Sequence, residues 1–285
     1  MRKSFRTPAA VSLAIFVFIL LSLSGCAIFD YHAHAPVPRW NLVWHDEFDQ
    51  PDGARPDPHK WKFDIGGGGW GNHELEYYTD RLENARIEKG NLVITAKQES
   101  YTGVDGVTRD FTSARLKTQG KFAQAYGRFE ARIKIPEGQG TWPAFWMLGQ
   151  NIGEVGWPKC GEIDVMENIG KEPTTVHGSL HGPFPGERAS NLTSVFSLRS
   201  NAKLAANFHV YAVEWEPGAV RFFLDDFLYA AFTPESPGSG PWVFDHPFFI
   251  LLNVAVGGNW PGNPDETTIF PQEMLVDYVR VYTPS

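Results

Sequence analysis

The sequence predicts an all-β domain, a sandwich or a barrel, on three observations. Short runs with strand-like alternation recur along the chain, separated by Gly- and Pro-bearing turns. The 28 Gly and 21 Pro suit many turns, and the 10 Trp, 9 Tyr and 21 Phe suit strands and aromatic surfaces. No convincing amphipathic pattern of three or more helical turns appears. Many short strands joined by such turns need a second layer, or closure, to bury their apolar faces.

In chain order, residues 1–26 read as a targeting segment. Arg2, Lys3 and Arg6 form a basic start, and the apolar run from Ala9 to Leu23 is short for a membrane span of ~20 residues. The run ends in Leu23-Ser24-Gly25-Cys26, which resembles a bacterial lipobox and implies a lipid on Cys26. Cleavage after Ala33-His34-Ala35 is the rival reading, but that pattern lies far from the apolar run. Ala27 follows the cysteine in place of the Asp that retains lipoproteins in the inner membrane. The expectation is therefore a lipid-anchored protein of the cell envelope, in the outer membrane or at the surface if the source is Gram-negative. Residues 27–39 form a polar, Pro-bearing tether. Residues 40–285 read as one domain, because no linker-like tract, repeat or low-complexity segment interrupts them.

Strands are expected at Leu42–Phe48, at Asn91–Ala96 after the Lys89-Gly90 turn, and at Gly127–Ile135. The last alternates cleanly, with Phe129, Ala131, Ile133 and Ile135 on one face and Arg128, Glu130, Arg132 and Lys134 on the other. Further strands are expected at Phe208–Trp215, Val220–Leu224, Phe248–Val256 and Leu275–Tyr282, with Asp225-Asp226 as a hairpin turn. The net charge of −8 disfavours nucleic acid or an anionic membrane surface as partner and is compatible with a neutral ligand. If Cys26 is lipidated, Cys160 has no disulfide partner, and it reads as a packed small hydrophobe rather than a nucleophile.

The chemistry concentrates in Gly161-Glu162-Ile163-Asp164-Val165-Met166-Glu167-Asn168. On a strand, Glu162 and Asp164 share one face while Ile163 and Val165 take the other. Glu167 breaks the parity and would be buried unpaired in the core, at high cost. One extra residue near Val165-Met166, a β-bulge, returns it to the face of Glu162 and Asp164. The two glutamates then lie about four strand steps apart, roughly 13 Å along the backbone. If they lean toward each other, their carboxylates come to about 5–6 Å, near the ~5–5.5 Å of a retaining glycosidase. Three acids so crowded cannot all ionise freely, so at least one pKa must rise. An exposed acidic face or a metal site would leave the same residues in sequence.

About five residues, Ile169 to Pro173, join this strand to Thr174–His181, which implies a hairpin. His177, Ser179 and His181 would then share the face beside the carboxylates. A structural and a functional role for His181 stand level. By period two, Trp142 and Trp146 lie on one face of Gly140–Leu148 and Phe145 and Met147 on the other. A strand buried on both faces and a Trp platform for sugar rings account for this equally well.

The acidic segment resembles the catalytic signature of glycoside hydrolase family 16, in the E-x-D-x-x-E branch that holds laminarinases (endo-β-1,3-glucanases), agarases and carrageenases. The similarity extends through Trp44–Phe48, Trp70–Thr79, Ser113–Leu116, Gly140–Leu148, His177–Pro183, Gly257–Gly262 and Val276–Tyr282, in laminarinase order. It spans about residues 40–283. The resemblance implies a β-jelly-roll sandwich of two antiparallel sheets with a concave cleft. It implies Glu162 as nucleophile, Glu167 as acid/base and Asp164 as assisting carboxylate. Asn72, Arg115, Trp142, Trp146, His181 and Trp260 would be cleft residues that touch sugar. His73 stands where the family often has a second Asn, which puts contacts by that position in doubt. No cofactor is expected for catalysis. A structural Ca²⁺ is implied, held by backbone oxygens of Glu47 and Gly90 and by the Asp277 carboxylate. The implied activity is retaining endo-hydrolysis of β-1,3-glucan by a monomer. Mixed-linkage glucan or agar remains an alternative substrate, and the absence of a basic run disfavours sulfated carrageenan. A β-glucan-binding protein of this fold would lack the catalytic glutamates, and both are present here.

Overall fold

The chain's structure, a computed structural model, describes residues 40–185 and 191–285. Cys26, the lipobox and the tether lie outside the described residues. Among the described residues no helix is long and apolar enough to cross a membrane.

Strands, numbered in chain order, build two sheets. The ten-stranded sheet runs β15 (Phe227–Phe232), β14 (Ala219–Leu224), β13 (His209–Glu216), β8 (Gly127–Lys134), β17 (Gln272–Pro284), β5 (Asn91–Thr102), β6 (Thr108–Ser113), β3 (Glu76–Tyr78). To it β1 (Trp40–Asp46) adds on β17 and β4 (Ala85–Glu88) on β5. The seven-stranded sheet runs β12 (Asn191–Ser197), β11 (Thr175–His181), β10 (Glu162–Glu167), β9 (Thr141–Gly149), β16 (Phe248–Val256), β7 (Arg115–Lys117), β2 (Lys62–Asp64). Every ladder is antiparallel except the short pairing of β3 with β6. Two sheets with separate edges make a sandwich and exclude the barrel that the strand pattern alone left open.

Local chemistry explains the turns. Asp225 and Asp226 take φ of 48° and 63°, and Leu224 pairs with Phe227 across them. Positive φ at both central residues is the type I′ geometry that matches strand twist, and Asp tolerates it. Lys89 and Gly90 do the same between β4 and β5, with φ of 51° and 71°.

The core lies between the sheets. Phe129, Ala131 and Ile133 of β8 meet Phe145 and Met147 of β9, Ile163 and Val165 of β10, and Phe248 and Ile250 of β16, all fully buried. Burying each large side chain contributes about 1.5–3 kcal/mol. On β11, Val176 and Leu180 enter this core. Gly178 sits between them where a Cβ would come within 2.7 Å of the Phe222 ring, so only glycine lets the opposite sheet approach. The expected strands are all present, β5 and β17 running longer, to 12 and 13 residues. The three-residue strands β2, β3 and β7 are too short to carry a readable period.

Candidate active site

The register of β10 shows how its three acids reach one face. On β9, Trp146 pairs with Asp164 and the next residue, Phe145, pairs with Met166, so Val165 is the extra residue of a bulge. Val165 and Met166 both enter the core at 0 % exposure. Glu162, Asp164 and Glu167 all open on a cleft of about 1130 Å³ on the outer face of the seven-stranded sheet. The bulge expected from the acid spacing is therefore where parity required it.

β11 pairs antiparallel with β10 and sets His181 opposite Glu162, Ser179 opposite Asp164 and His177 opposite Glu167. His181 Nε2 lies 2.9 Å from Asp164 Oδ2 and 3.9 Å from Glu162 Oε1. His177 instead bonds Glu172 Oε2 at 2.9 Å, and its ring meets that of Trp260 edge-on at 4.8 Å. His181 thus faces the carboxylates of β10, whereas His177 is tied to Glu172 and Trp260 in the cleft wall.

Glu162 and Glu167 each receive one indole N–H. Trp142 Nε1 donates to Glu167 Oε1 at 2.9 Å, and Trp157 Nε1 donates to Glu162 Oε2 at 2.9 Å. Trp146 Nε1 donates to Asn253 Oδ1 at 2.7 Å, and Asn253 in turn donates to the Tyr78 hydroxyl at 3.1 Å. Tyr78 donates to Glu74 Oε2 at 3.1 Å, and Asn72 donates to Glu74 Oε1 at 3.2 Å. The Arg115 guanidinium is stacked between two indoles, 4.8 Å from the Trp70 ring and 4.7 Å from the Trp146 ring. These bonds decide between the two readings of Trp142 and Trp146. Both line the cleft, whereas Phe145 and Met147 are fully buried in the core.

Burial dominates the electrostatics. It pushes Glu162 up to about 8, with the Asp164 charge adding to the rise. It pushes Glu167 up to about 7, with His181 and the Trp142 N–H pulling the other way. Asp164 is raised well above its ordinary value by burial and then by the Glu167 charge. Among the described residues, no lysine or arginine shifts these acids. The trio therefore holds protons near neutral pH, as an acid catalyst requires. The rise is larger at Glu162 than at Glu167, and each accepts one indole N–H, so the two roles rest on the family resemblance.

All six residues expected to touch sugar, Asn72, Arg115, Trp142, Trp146, His181 and Trp260, line the cleft. His73 is exposed and does not line it. Sequence reasoning missed Trp70, Glu74, Trp157 and Asn253 as wall residues. The one signal for Trp157 was an aromatic beside Pro158, five residues before Glu162, which the structure leaves 52 % exposed. Cys160 is fully buried and its thiol is pushed up to about 11 by burial, so it is an inert packed group.

The expected calcium positions lie on neighbouring strands. Val276 pairs with Leu92 and Val279 with Asp46, which carries Glu47 and the Lys89-Gly90 turn to the two sides of β17 next to Asp277. The Asp277 carboxylate accepts from Arg132 Nη1 at 2.8 Å, so its charge is already engaged. The Glu47 carboxylate, not expected as a ligand, pairs with Arg280 at 2.8 Å.

The sequence model of glycosyl hydrolases family 16 matches residues 72–280, a stretch that carries all of the cleft lining except Trp70 and Gly71. The chain belongs to this family. A family 16 site is thus what the bulge and the indole-lined cleft compose. The chain is 45 % identical over 279 residues to a β-glucanase from Rhodothermus marinus, covering 93 % of each. It is 49 % identical to the laminarinase catalytic domain from Thermotoga maritima, with a TM-score of 0.80 over 86 % of this chain and 99 % of that one. It is 47 % identical to the endo-β-1,3-glucanase from Pyrococcus furiosus, with a TM-score of 0.81 over 87 % and 96 %.

Proposed function

We propose that this chain hydrolyses internal β-1,3 linkages of neutral β-glucans such as laminarin, with retention at the anomeric carbon. The observation that carries it is the bulge. It sets two glutamates on one cleft face with Asp164 between them, in a groove walled by Trp. The similarity to endo-β-1,3-glucanases over most of the chain supports the linkage.

In the first step Glu162 attacks the anomeric carbon and the glycosidic C–O bond breaks, while Glu167 gives its proton to the leaving oxygen. Glu167 Oε1 is engaged by the Trp142 N–H, so Oε2 carries that proton. In the second step Glu167 takes a proton from water, whose oxygen displaces Glu162 from the sugar. Asp164 sits against both glutamates and holds the trio's remaining proton and charge. The indole faces of Trp142, Trp146 and Trp260 suit the CH-rich faces of sugar rings.

Reducing-sugar release from laminarin, lichenan and agarose separates this reading from other polysaccharides of the family. Laminarin should be cut fastest, with an early fall in viscosity and a mixture of oligosaccharides. Faster release from agarose, glucose alone as product, or an α-anomer as first product by NMR would overturn it.

Two features of the envelope form belong to the same proposal. A lipid on Cys26 is supported by the Leu23-Ser24-Gly25-Cys26 pattern after a short apolar run. It predicts that Cys26→Ser moves the protein from the membrane to the soluble fraction, and identical fractionation of both would refute it. A Ca²⁺ at the Glu47 and Gly90 carbonyls and Asp277 is supported by the β17 register. It would supply stability, by binding the folded chain alone, once Asp277 turned from Arg132. Chelation should then lower the melting temperature, and an unchanged melting curve would remove the ion from the proposal.

A further inference from the structure

Glu162, Asp164 and His181 have a second property that involves no sugar. One ligand atom from each lies within 4.8 Å of the others. The His181 Nε2 distances of 2.9 Å to Asp164 and 3.9 Å to Glu162 bracket the spacing of ligands around a tetrahedral ion. With metal–ligand bonds of about 2.0–2.2 Å, neighbouring ligand atoms sit roughly 3.3 Å apart.

Independent observations point the same way. Asp164 is 2 % exposed, and its Oδ2 makes no hydrogen bond among the described residues, with His181 Nε2 2.9 Å away. A buried carboxylate oxygen left so is costly unless something cationic meets it. Among the described residues, His181 is the only basic side chain that shifts these acids, and no lysine or arginine meets the cluster. Its open side is the cleft, where a fourth ligand can be water.

We propose that Glu162, Asp164 and His181 form a reversible site for a borderline divalent cation of the Zn²⁺ class, which shuts off catalysis by engaging the nucleophile. Two oxygens and an imidazole nitrogen suit Zn²⁺, Cu²⁺ or Ni²⁺, whereas Ca²⁺ and Mg²⁺ prefer all-oxygen shells. His181 Nδ1 has no partner, so the outer contact that strengthens structural zinc sites is missing. The ion is therefore an inhibitor that comes and goes, not a permanent part of the fold.

Calorimetric titration of the whole chain with ZnCl₂ alone tests this and reads binding whatever the substrate, so its failure is separable from failure of the glucan assignment. About one Zn²⁺ should bind to the wild type and equally to Glu167→Gln, which leaves the three ligands intact. Asp164→Asn and His181→Gln should each weaken binding roughly 100-fold, since even outer-shell losses cost about 10–100-fold. Melting curves establish that each variant is folded, and Glu162→Gln replaces one that is not. Zinc should also inhibit wild-type glucan hydrolysis competitively, with recovery on chelation. Absence of binding, undiminished binding in the ligand variants (an adventitious surface ion), or loss in Glu167→Gln would each overturn the site.

Discussion

Two faces of this molecule carry acids on alternating strand positions, and they treat them in opposite ways. On the ten-stranded sheet, the face turned from the core is tied together by arginines. Arg128 bonds Glu130 at 2.8 Å, Glu214 at 3.1 Å and Asp226 at 3.0 Å, and Arg280 forks onto Glu47 at 2.8 Å. Hydrogen bonding to Arg280 holds the Glu47 carboxyl below its ordinary value. In the cleft, Glu162, Asp164 and Glu167 are more deeply buried and, among the described residues, meet one histidine and no arginine, and all three are pushed upward. Acids matched by cations become permanent charges that hold strands in place. Acids buried without them keep protons to give away.

Removing the unmatched acids should have the largest effect. Glu167→Ala should lower kcat by on the order of 10²–10⁴ through loss of general acid–base catalysis. Glu162→Ala should cost at least as much. Azide should restore turnover of Glu162→Ala, with inverted product. Substantial residual activity in either variant would place the chemistry elsewhere.

The matched face should answer differently. Arg128→Ala leaves Glu130 and Glu214 without their cation, and removing one partner of a buried ion pair costs about 3–5 kcal/mol. Chemical denaturation should show a loss of that order, with kcat of the remaining folded enzyme unchanged. A matching loss of kcat would mean that the two faces are coupled.

A smaller effect should come from Trp157→Phe, which keeps the ring and removes the N–H on Glu162. A hydrogen bond to a charged group contributes about 1.5–3 kcal/mol, so kcat should fall roughly 10- to 100-fold. That N–H favours the ionised nucleophile, so without it the acid limb of the pH–rate profile should move to higher pH. A change in KM alone would make Trp157 a sugar platform and nothing more.

The smallest effect concerns the proton on Glu167. The acid must be protonated and its carboxyl lies at about 7, so kcat/KM should decline as pH rises through that value. The Trp142 N–H lowers this value, so Trp142→Phe should move the alkaline limb upward. An unmoved limb would assign it to another group.

Much of the site was readable from the chain. Glu167 at an odd offset from Glu162 demanded a bulge, and Val165 supplies it. The five residues after Asn168 demanded a hairpin, which put His177, Ser179 and His181 beside the acids. Trp157 was not readable, because a loop aromatic has no periodic neighbours to show which way it points. Glu74 and Asn253 were not either. Each reaches the cleft through a chain of hydrogen bonds from Asn72 to Trp146 that crosses three separate segments.

The sequence by itself determined the parity of β8, β9 and β11 and the bulge of β10, and with them which residues of β10, β11 and β9 share a face. The physical reason is local, since alternation follows from the covalent geometry of an extended backbone. Only the tertiary structure decided that the Trp142 and Trp146 face opens on a cleft while the Phe145 face is covered, and that among the described residues no arginine reaches the three acids. Both depend on strands far apart in the chain, and the energy of a buried charge is set by what surrounds it in space.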